Sequence, residues 1–146
     1  MALGDFRAPV DAGTWYACNK EITYAAGTTG AASAKTIFTV TGLVRVRIFA
    51  HCTADLTSGG AATIQVGTAI TAAGLLPSTT ATTIDAGEIW HDATADASVE
   101  LETVSATKLV GQNIIETIGT TTVTGGTIKY TVLWQPVSDN GLVVAA

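Results

Sequence analysis

Two histidines and a few carboxylates are the residues of this sequence whose types could do chemistry. His91 lies in the segment WHDATAD, directly before Asp92 and close to Asp96. A metal site built on this histidine would need further His, Cys or carboxylate ligands at a helical or hairpin spacing, and the sequence places none there. We therefore predict a turn capped by Asp92 at this position, and no metal.

Glu100 and Glu102 form the second candidate, in the segment SVELETVS. They alternate with Val99, Leu101 and Thr103, which predicts a short strand with both carboxylates on one face, about 7 Å apart. A pair at that distance could act in glycoside hydrolysis. Because no neighbouring residue indicates a sugar cleft, a solvated strand face is the preferred interpretation.

The common catalytic and nucleotide-binding motifs do not occur in the sequence. It contains no G-x-S-x-G elbow, no H-E-x-x-H helix, and neither of the glycine-rich phosphate loops G-x-G-x-x-G and G-x-x-x-x-G-K-[ST]. We predict a protein that is not an enzyme, with no catalytic residue and no cofactor.

Length and composition point to one domain with an unusually uncharged surface. The chain has 146 residues, of which 47% are hydrophobic and 13% are charged, about half the usual charged fraction. Much of the surface must therefore be threonine, alanine or contact area. A formal net charge of −5 lacks the basic footprint that phosphate binding requires, so nucleic acid is not expected as a direct partner.

The sequence also indicates a compartment. No segment approaches the ~20 apolar residues of a membrane span, and the first residues lack the apolar core of a signal peptide. We predict a soluble protein made in a cytoplasm, without membrane contact. Two reduced thiols at Cys18 and Cys52 fit this compartment better than a disulfide, which the sequence leaves open.

The element that must position these side chains is clearest in residues 36–52, TIFTVTGLVRVRIFAHC. Apolar residues occupy alternate positions, and Arg45, Arg47 and His51 share the other face, which is the period of a β-strand. A straight strand of this length would run roughly 56 Å, too far for one small domain. Gly42 is therefore expected to form a bend, a bulge or a tight turn.

Glycines mark two further boundaries. Ser58, Gly59 and Gly60 separate two β-prone runs, which predicts a hairpin whose second strand covers residues 62–70. Near the end of the chain, the pair at 125 and 126 is predicted to form the turn before a last strand, TIKYTVLWQP. Alternate residues of that strand face the core, and its proline ends the pairing.

These patterns predict an all-β protein. No window shows a helical apolar stripe, and the many threonines and valines favour a pleated surface. Eight to ten short strands predict a single-domain antiparallel β-sandwich or jelly roll. The predicted organisation is an extended N-terminal arm at 1–13, a β-sandwich at 14–138 and a C-terminal tail at 139–146.

Three segments resemble small virion proteins of tailed bacteriophages: TVTGLVRVRIFAHCTADLTSGGAATIQVGT, TTIDAGEIWHDATADASVE and GGTIKYTVLWQPVSDNG. The resemblance covers about residues 35–140 and is to head decoration (cement) proteins. It implies a compact β-rich module that binds the capsid exterior as a homotrimer, with the major capsid protein as partner. The implied location is the outside of the virion, after synthesis in the bacterial cytoplasm.

A decoration role needs contact residues, which the sequence offers at both ends and on the arginine-bearing strand. The apolar C-terminal segment LVVAA would be costly to leave in water. The two arginines can also pair with carboxylates of a neighbouring strand, which is the favoured interpretation, or with another subunit. The candidate subunit or capsid contacts are Phe6, Arg7, Val10, Arg45, Arg47, Leu142 and Val143.

An alternative keeps the protein in the virion but assigns it to a tail or head fibre that binds host surface glycan. Trp15, Trp90 and Trp134 could stack on sugar rings, although Trp134 alternates with core residues and is expected to be buried. Decoration remains the preferred function.

Overall fold

A computed structural model describes residues 14–92, 94, 98–100 and 106–146 as two five-stranded antiparallel sheets. Sheet A contains β1 (Tyr16–Thr23), β3 (Val44–Ser58), β6 (Ile89–Trp90), β7 (Lys108–Val110) and β9 (Val123–Pro136). Sheet B contains β2 (Ala34–Thr41), β4 (Thr63–Gly67), β5 (Leu76–Thr80), β8 (Ile114–Gly119) and β10 (Leu142–Ala145). A 3₁₀ turn covers Ala81–Thr83. The predicted arm at 1–13, with Phe6, Arg7 and Val10, lies outside the described residues.

Sheet A is built on the long pairing of β3 with β9, and sheet B has β8 as its central strand. In sheet A, β9 lies between β1 and β3, while β6 and β7 pair with different parts of the far side of β3. In sheet B the strand order is β10-β2-β8-β4-β5. All pairings are antiparallel, so the predicted antiparallel all-β fold is confirmed.

One hydrophobic core lies between the two sheets. Alternation places Val46, Ile48 and Val132 of sheet A on the inner side, and Ile64 and Ile114 of sheet B meet them. Because successive strand residues point to opposite faces, the core residues of the longer strands lie mostly at alternate positions. The predicted inward positions of β9 are confirmed, since 128, 130, 132 and 134 are all buried.

Gly42 forms the predicted bend. It has a φ of 64°, a conformation that residues with a Cβ rarely adopt. The chain leaves β2 in sheet B at Thr41 and enters β3 in sheet A at Val44. The alternating segment is therefore two strands in different sheets, joined at this glycine.

The predicted hairpin after Ser58 is wrong. β3 ends at Ser58 and a new strand does follow, but β4 belongs to sheet B and pairs with β5 and β8. Gly59 and Gly60 thus connect the two sheets. An alternating pattern specifies which residues face the core, and strands on either side of the core satisfy it equally well.

The predicted turn at Gly125 and Gly126 is also wrong, because both residues lie inside β9. The pairing of β3 with β9 shifts register here, with Ala54 opposite Thr127 and Thr57 opposite Gly125. Gly126 has a φ of 103°, and its freedom is used at a β-bulge in which three residue steps of β3 oppose two of β9. Pro136 ends the pairing as predicted.

Both cysteines are free thiols. Cys18 is on β1 and Cys52 is on β3, so β9 separates them. Two strand spacings of roughly 9–10 Å exceed the ~7 Å that a disulfide can bridge between Cα atoms. Burial raises the pKa of Cys52 to about 11, which keeps this thiol protonated and unreactive.

Candidate functional sites

The outer face of sheet B carries no charged side chain. Its five strands contain two charged residues, Lys35 on β2 and Glu116 on β8. These two residues lie opposite each other on the inner side of the sheet. The outward side chains of the five strands are uncharged, and they are either polar or apolar. We call the following set the neutral face: Thr36, Thr39, Thr41, Thr63, Gln65, Thr80, Ile115, Thr117, Leu142 and Val144.

The C-terminal segment contributes one edge of this face. β10 pairs with β2, with Leu142 opposite Thr41 and Val143 opposite Val40. Val143 is buried in the core, whereas Leu142 is 45% exposed and Val144 is 43% exposed. Of the two C-terminal contact candidates, Leu142 is therefore the one that points outward.

The outer face of sheet A carries the two candidate arginines near the start of β3. Arg45 donates a long hydrogen bond of 3.4 Å to the amide oxygen of Gln135 on β9. Arg47 donates to the Thr107 hydroxyl at 2.9 Å, and its guanidinium carbon lies 5.4 Å from the centre of the Trp15 ring. These contacts hold both guanidinium groups on the open side of the sheet.

Apolar side chains surround the two arginines. Leu109 of β7 pairs with Arg45 and is exposed, and Leu133 of β9 pairs with Arg47. Arginine beside tryptophan is a composition typical of protein interfaces, and the leucines add apolar area. We call Arg45, Arg47, Trp15, Leu109 and Leu133 the arginine patch.

Three carboxylates gather at the opposite end of β3. The Asp55 Oδ1 atom accepts a hydrogen bond of 2.7 Å from the Ala86 N–H, and the Glu88 Oε2 atom accepts one of 2.8 Å from the Asp85 N–H. The turn itself is fixed on β3 by a bond from the Gly87 N–H to the Cys52 carbonyl. We call Asp55, Asp85 and Glu88 the acidic corner.

A polar cluster lies inside the core, where the sequence analysis predicted none. Glu116 of β8 is fully buried, and its Oε2 atom accepts hydrogen bonds of 2.6 Å from the phenols of both Tyr24 and Tyr130. Tyr130 is on β9, so this bond joins the two sheets. The Glu116 Oε1 atom is buried without a hydrogen-bond partner within the described part of the chain.

Burial controls the protonation of this cluster. It raises the pKa of Glu116 above its ordinary 4.5, although hydrogen bonds from Tyr130 and Tyr24 and the nearby Lys35 charge act in the opposite direction. Burial and the Glu116 charge also raise the pKa of both tyrosines well above 10. The phenols therefore remain hydrogen-bond donors at any ordinary pH. The signal in the sequence was a carboxylate at a core position of IIETI.

The side chain of His91 is buried, beside the Asp92 cap that the sequence predicted. Its Nε2 atom lies 3.0 Å from Glu100 Oε1 and its Nδ1 atom lies 3.6 Å from Asp92 Oδ2. The Asp92 cap is confirmed, because its Oδ1 atom accepts from the Thr94 N–H at 2.8 Å. The solvated strand face is wrong for Glu100, which contacts His91 and is not in a strand. Glu102 lies outside the described residues.

A cavity of about 200 Å³ adjoins His91. Its lining is otherwise formed by Val46, Ile48, Leu75, Pro77, Ala106 and Lys108. The Lys108 ammonium already donates to the Gly74 and Leu75 carbonyls, at 2.7 and 3.3 Å. Among the described residues, no group of three His, Cys, Asp or Glu side chains could hold a metal ion.

The three tryptophans do not form one surface. Trp90 and Trp134 are buried in the core, as predicted for Trp134, and Trp15 is 37% exposed beside Arg47. A sugar-stacking surface built from all three is therefore not present. Within the residues described, no helix has the length and apolar character to cross a membrane.

No protein-family model and no curated protein matches this sequence. Among solved structures, it is similar to a chain of the acidic stable capsid of Helicobacter pylori bacteriophage KHP30, at 11% identity and a TM-score of 0.46, covering 89% of this chain and 92% of that one. A chain of the cyanophage Pam1 capsid asymmetric unit has 18% identity and a TM-score of 0.45, with 92% and 96% coverage. A chain of the Bacillus endospore appendages, a family of disulfide-linked pili, has 17% identity and a TM-score of 0.33, with 84% and 87% coverage. Similarity at this level assigns no role to any residue of this chain.

Proposed function

We propose that this chain is a structural virion protein that binds the outer surface of a phage head as a homotrimer and stabilises it. Its partners are the major capsid protein and further copies of itself. It performs no catalysis and uses no cofactor. The sequence resemblance to head decoration proteins, on the segments quoted above, supports this proposal.

The neutral face of sheet B is the observation that carries the proposal. A protein surface can pack on this face without removing the water from any charged group, a step that is costly unless each charge finds a partner. The threonine hydroxyls can exchange water for hydrogen bonds to the shell. Leu142 and Val144 add apolar area at the rim, which favours burial.

The candidate contact residues take different parts in this proposal. Leu142 contacts the shell, and Val143 holds β10 in the sheet so that Leu142 is presented. Arg45 and Arg47 face a neighbouring copy. Phe6, Arg7 and Val10 of the arm extend onto the shell, where three linked copies bind with avidity.

A charge on the neutral face should prevent binding. Heads of the phage that encodes the chain, prepared without this protein, would be mixed with wild-type protein and with the variant Thr39→Lys. Asn19→Lys is the matched control, because Asn19 is also an exposed polar strand residue but lies in the middle of β1 on sheet A. We expect Thr39→Lys to weaken binding about tenfold or more, since it must bury an unpaired charge, and the control to bind like the wild type.

Imaging of the decorated particles separates the two virion locations. Decoration requires regular copies over the whole head, whereas a fibre protein would occupy a single vertex or the tail. Absence of the protein from the head, or equal binding by Thr39→Lys and the wild type, would contradict the proposal. The buried Trp90 and Trp134 leave the glycan-binding alternative without two of its three stacking residues.

A further inference from the structure

The charges on sheet A are separated along its longest strand. Arg45 and Arg47 lie near the start of β3, and Asp55 lies near its end. Ten residues of extended strand place Arg45 and Asp55 roughly 30 Å apart. At that distance the arginine patch and the acidic corner of one molecule cannot contact each other, and water and salt screen their attraction.

The two surfaces also differ in shape. The arginine patch lies on an open sheet, and its guanidinium groups are held by Gln135, Thr107 and Trp15. The acidic corner is a turn at the sheet edge, fixed by the bonds that Asp55 and Glu88 accept from backbone N–H groups. Both are therefore organised before any partner arrives, which lowers the entropy cost of association.

The acidic corner leaves carboxylate oxygens available for a partner. Asp55 and Glu88 each use one oxygen atom in the turn, and each keeps a second oxygen. Asp85 is exposed at the tip of the turn. Arginine binds carboxylates in a bidentate geometry, and tryptophan and leucine around it exclude water from such a contact.

We propose that the arginine patch of one copy binds the acidic corner of the next copy. The two surfaces are different, so the contact is head-to-tail, and it forms a closed ring when the rotation between copies closes. A three-membered ring would give the trimer of the proposed function. This inference concerns contacts between copies, and it is tested without any capsid.

Charge reversal on each side, and then on both sides together, tests the contact. Self-association of wild-type protein, Arg45→Glu, Asp85→Lys and the double variant would be measured by sedimentation velocity and light scattering over a range of concentrations. We expect each single reversal to weaken association about tenfold or more. The double variant restores the attraction between positions 45 and 85 with its sign exchanged, so it should associate more tightly than the sum of the two single changes predicts.

Two charge changes on the same sheet serve as matched controls. Lys129 and Glu21 are exposed, pair across β9 and β1, and lie between the two surfaces. Lys129→Glu and Glu21→Lys should associate like the wild type.

A mixing experiment tests the same contact between two different chains. An equimolar mixture of Arg45→Glu and Asp85→Lys chains should form mixed complexes.

Three results would overturn the inference. These are a wild-type protein that stays monomeric, single reversals that leave association unchanged, and a double variant as weak as the sum of its two changes. If association behaves as expected but heads are not bound, the proposed function fails and the contact between copies stands. If heads are bound by a protein that never self-associates, the opposite holds.

Discussion

Glu116 occupies a position that the strand pattern assigns to an aliphatic side chain, between Ile114 and Ile118 on the inner side of β8. It is tolerated there because the phenols of Tyr24 and Tyr130 donate to one carboxylate oxygen. The other oxygen is buried without a partner in the region that the structure describes. The carboxyl group is therefore more stable in its neutral form than an exposed one.

This protonation preference makes part of the folding stability depend on pH. The pKa of Glu116 is raised on folding, so its contribution is fully present below the unfolded pKa and is lost as pH rises through the folded pKa. Glu116→Gln removes the titration. The free energy of unfolding of this variant, relative to wild type, should therefore increase as pH rises above the ordinary carboxyl pKa of 4.5. Urea unfolding at several pH values checks this, with exposed Glu21→Gln as the control. A difference that stays constant with pH would contradict it.

Removal of one phenol tests the cluster differently. Tyr130→Phe leaves Glu116 with the single donor Tyr24, and we expect a loss of about 1–3 kcal/mol in the free energy of unfolding. Thr39→Val, which removes an exposed hydroxyl, is the control and should change stability little. Equal losses in both variants would show that the hydrogen bond across the sheets contributes nothing.

The sequence contained half of the information on this cluster. Strand period places Glu116 on the core side, and this alone indicates a buried carboxylate that requires donors. Its donors are 92 and 14 residues away in the chain, and no local pattern identifies them. The contact between His91 and Glu100 could not be predicted for the same reason. The sequence between these two residues has no periodic pattern that would bring them together.

At the scale of elements, alternation predicted which segments are strands and which residues face the core. It did not predict which sheet each strand joins, so Gly59 and Gly60 were assigned to a hairpin and Gly125 and Gly126 to a turn. The sheet that a strand joins, and whether a glycine forms a turn or lies inside a strand, depend on how distant segments pack together. A glycine with positive φ serves a bend at Gly42 and a bulge at Gly126 equally well.

The three glycines 59, 87 and 126 form a graded test of this point. A Cβ at Gly126 would collide with the Asp55 carbonyl and would also be strained by its φ of 103°. At Gly87 a Cβ would meet no atom within 4 Å, but the backbone has a φ of 92°. Gly59 has neither a positive φ nor a close neighbouring atom. We expect Gly126→Ala to lose the most stability, about 2–3 kcal/mol, Gly87→Ala about 1, and Gly59→Ala almost none. Chemical denaturation measures all three, and equal losses would remove the role of the bulge.

The last strand offers a second test at this scale. Val143 is buried and Val144 is exposed on the same four-residue strand. Val143→Ala removes two buried methylene equivalents and should cost about 1.5 kcal/mol, whereas Val144→Ala should cost little. Thermal unfolding of both variants compares them. Equal effects would mean that the C-terminal segment is not held in sheet B in solution.

At the scale of the whole molecule, the two sheets present surfaces of different chemistry. The neutral face of sheet B has no charges for salt to screen, and the contact proposed between copies on sheet A depends on charge. Salt should therefore weaken the second contact and leave the first almost unchanged, because the Debye length falls from about 10 Å at 0.1 M to about 3 Å at 1 M.

The variant Arg45→Glu separates these effects on the phage head. Wild-type protein binds heads through several linked copies. Salt should weaken this binding, because it breaks the contact between copies and so removes avidity. The monomeric Arg45→Glu variant has no avidity to lose, so its weaker binding should change less than about threefold between 0.1 and 1 M NaCl. Head-binding isotherms at several salt concentrations measure both proteins. The same comparison is made with Arg7→Gln in both proteins, which removes the charge of the arm. If salt then still releases the monomeric variant as strongly as the wild type, the neutral face cannot be the surface that binds the shell.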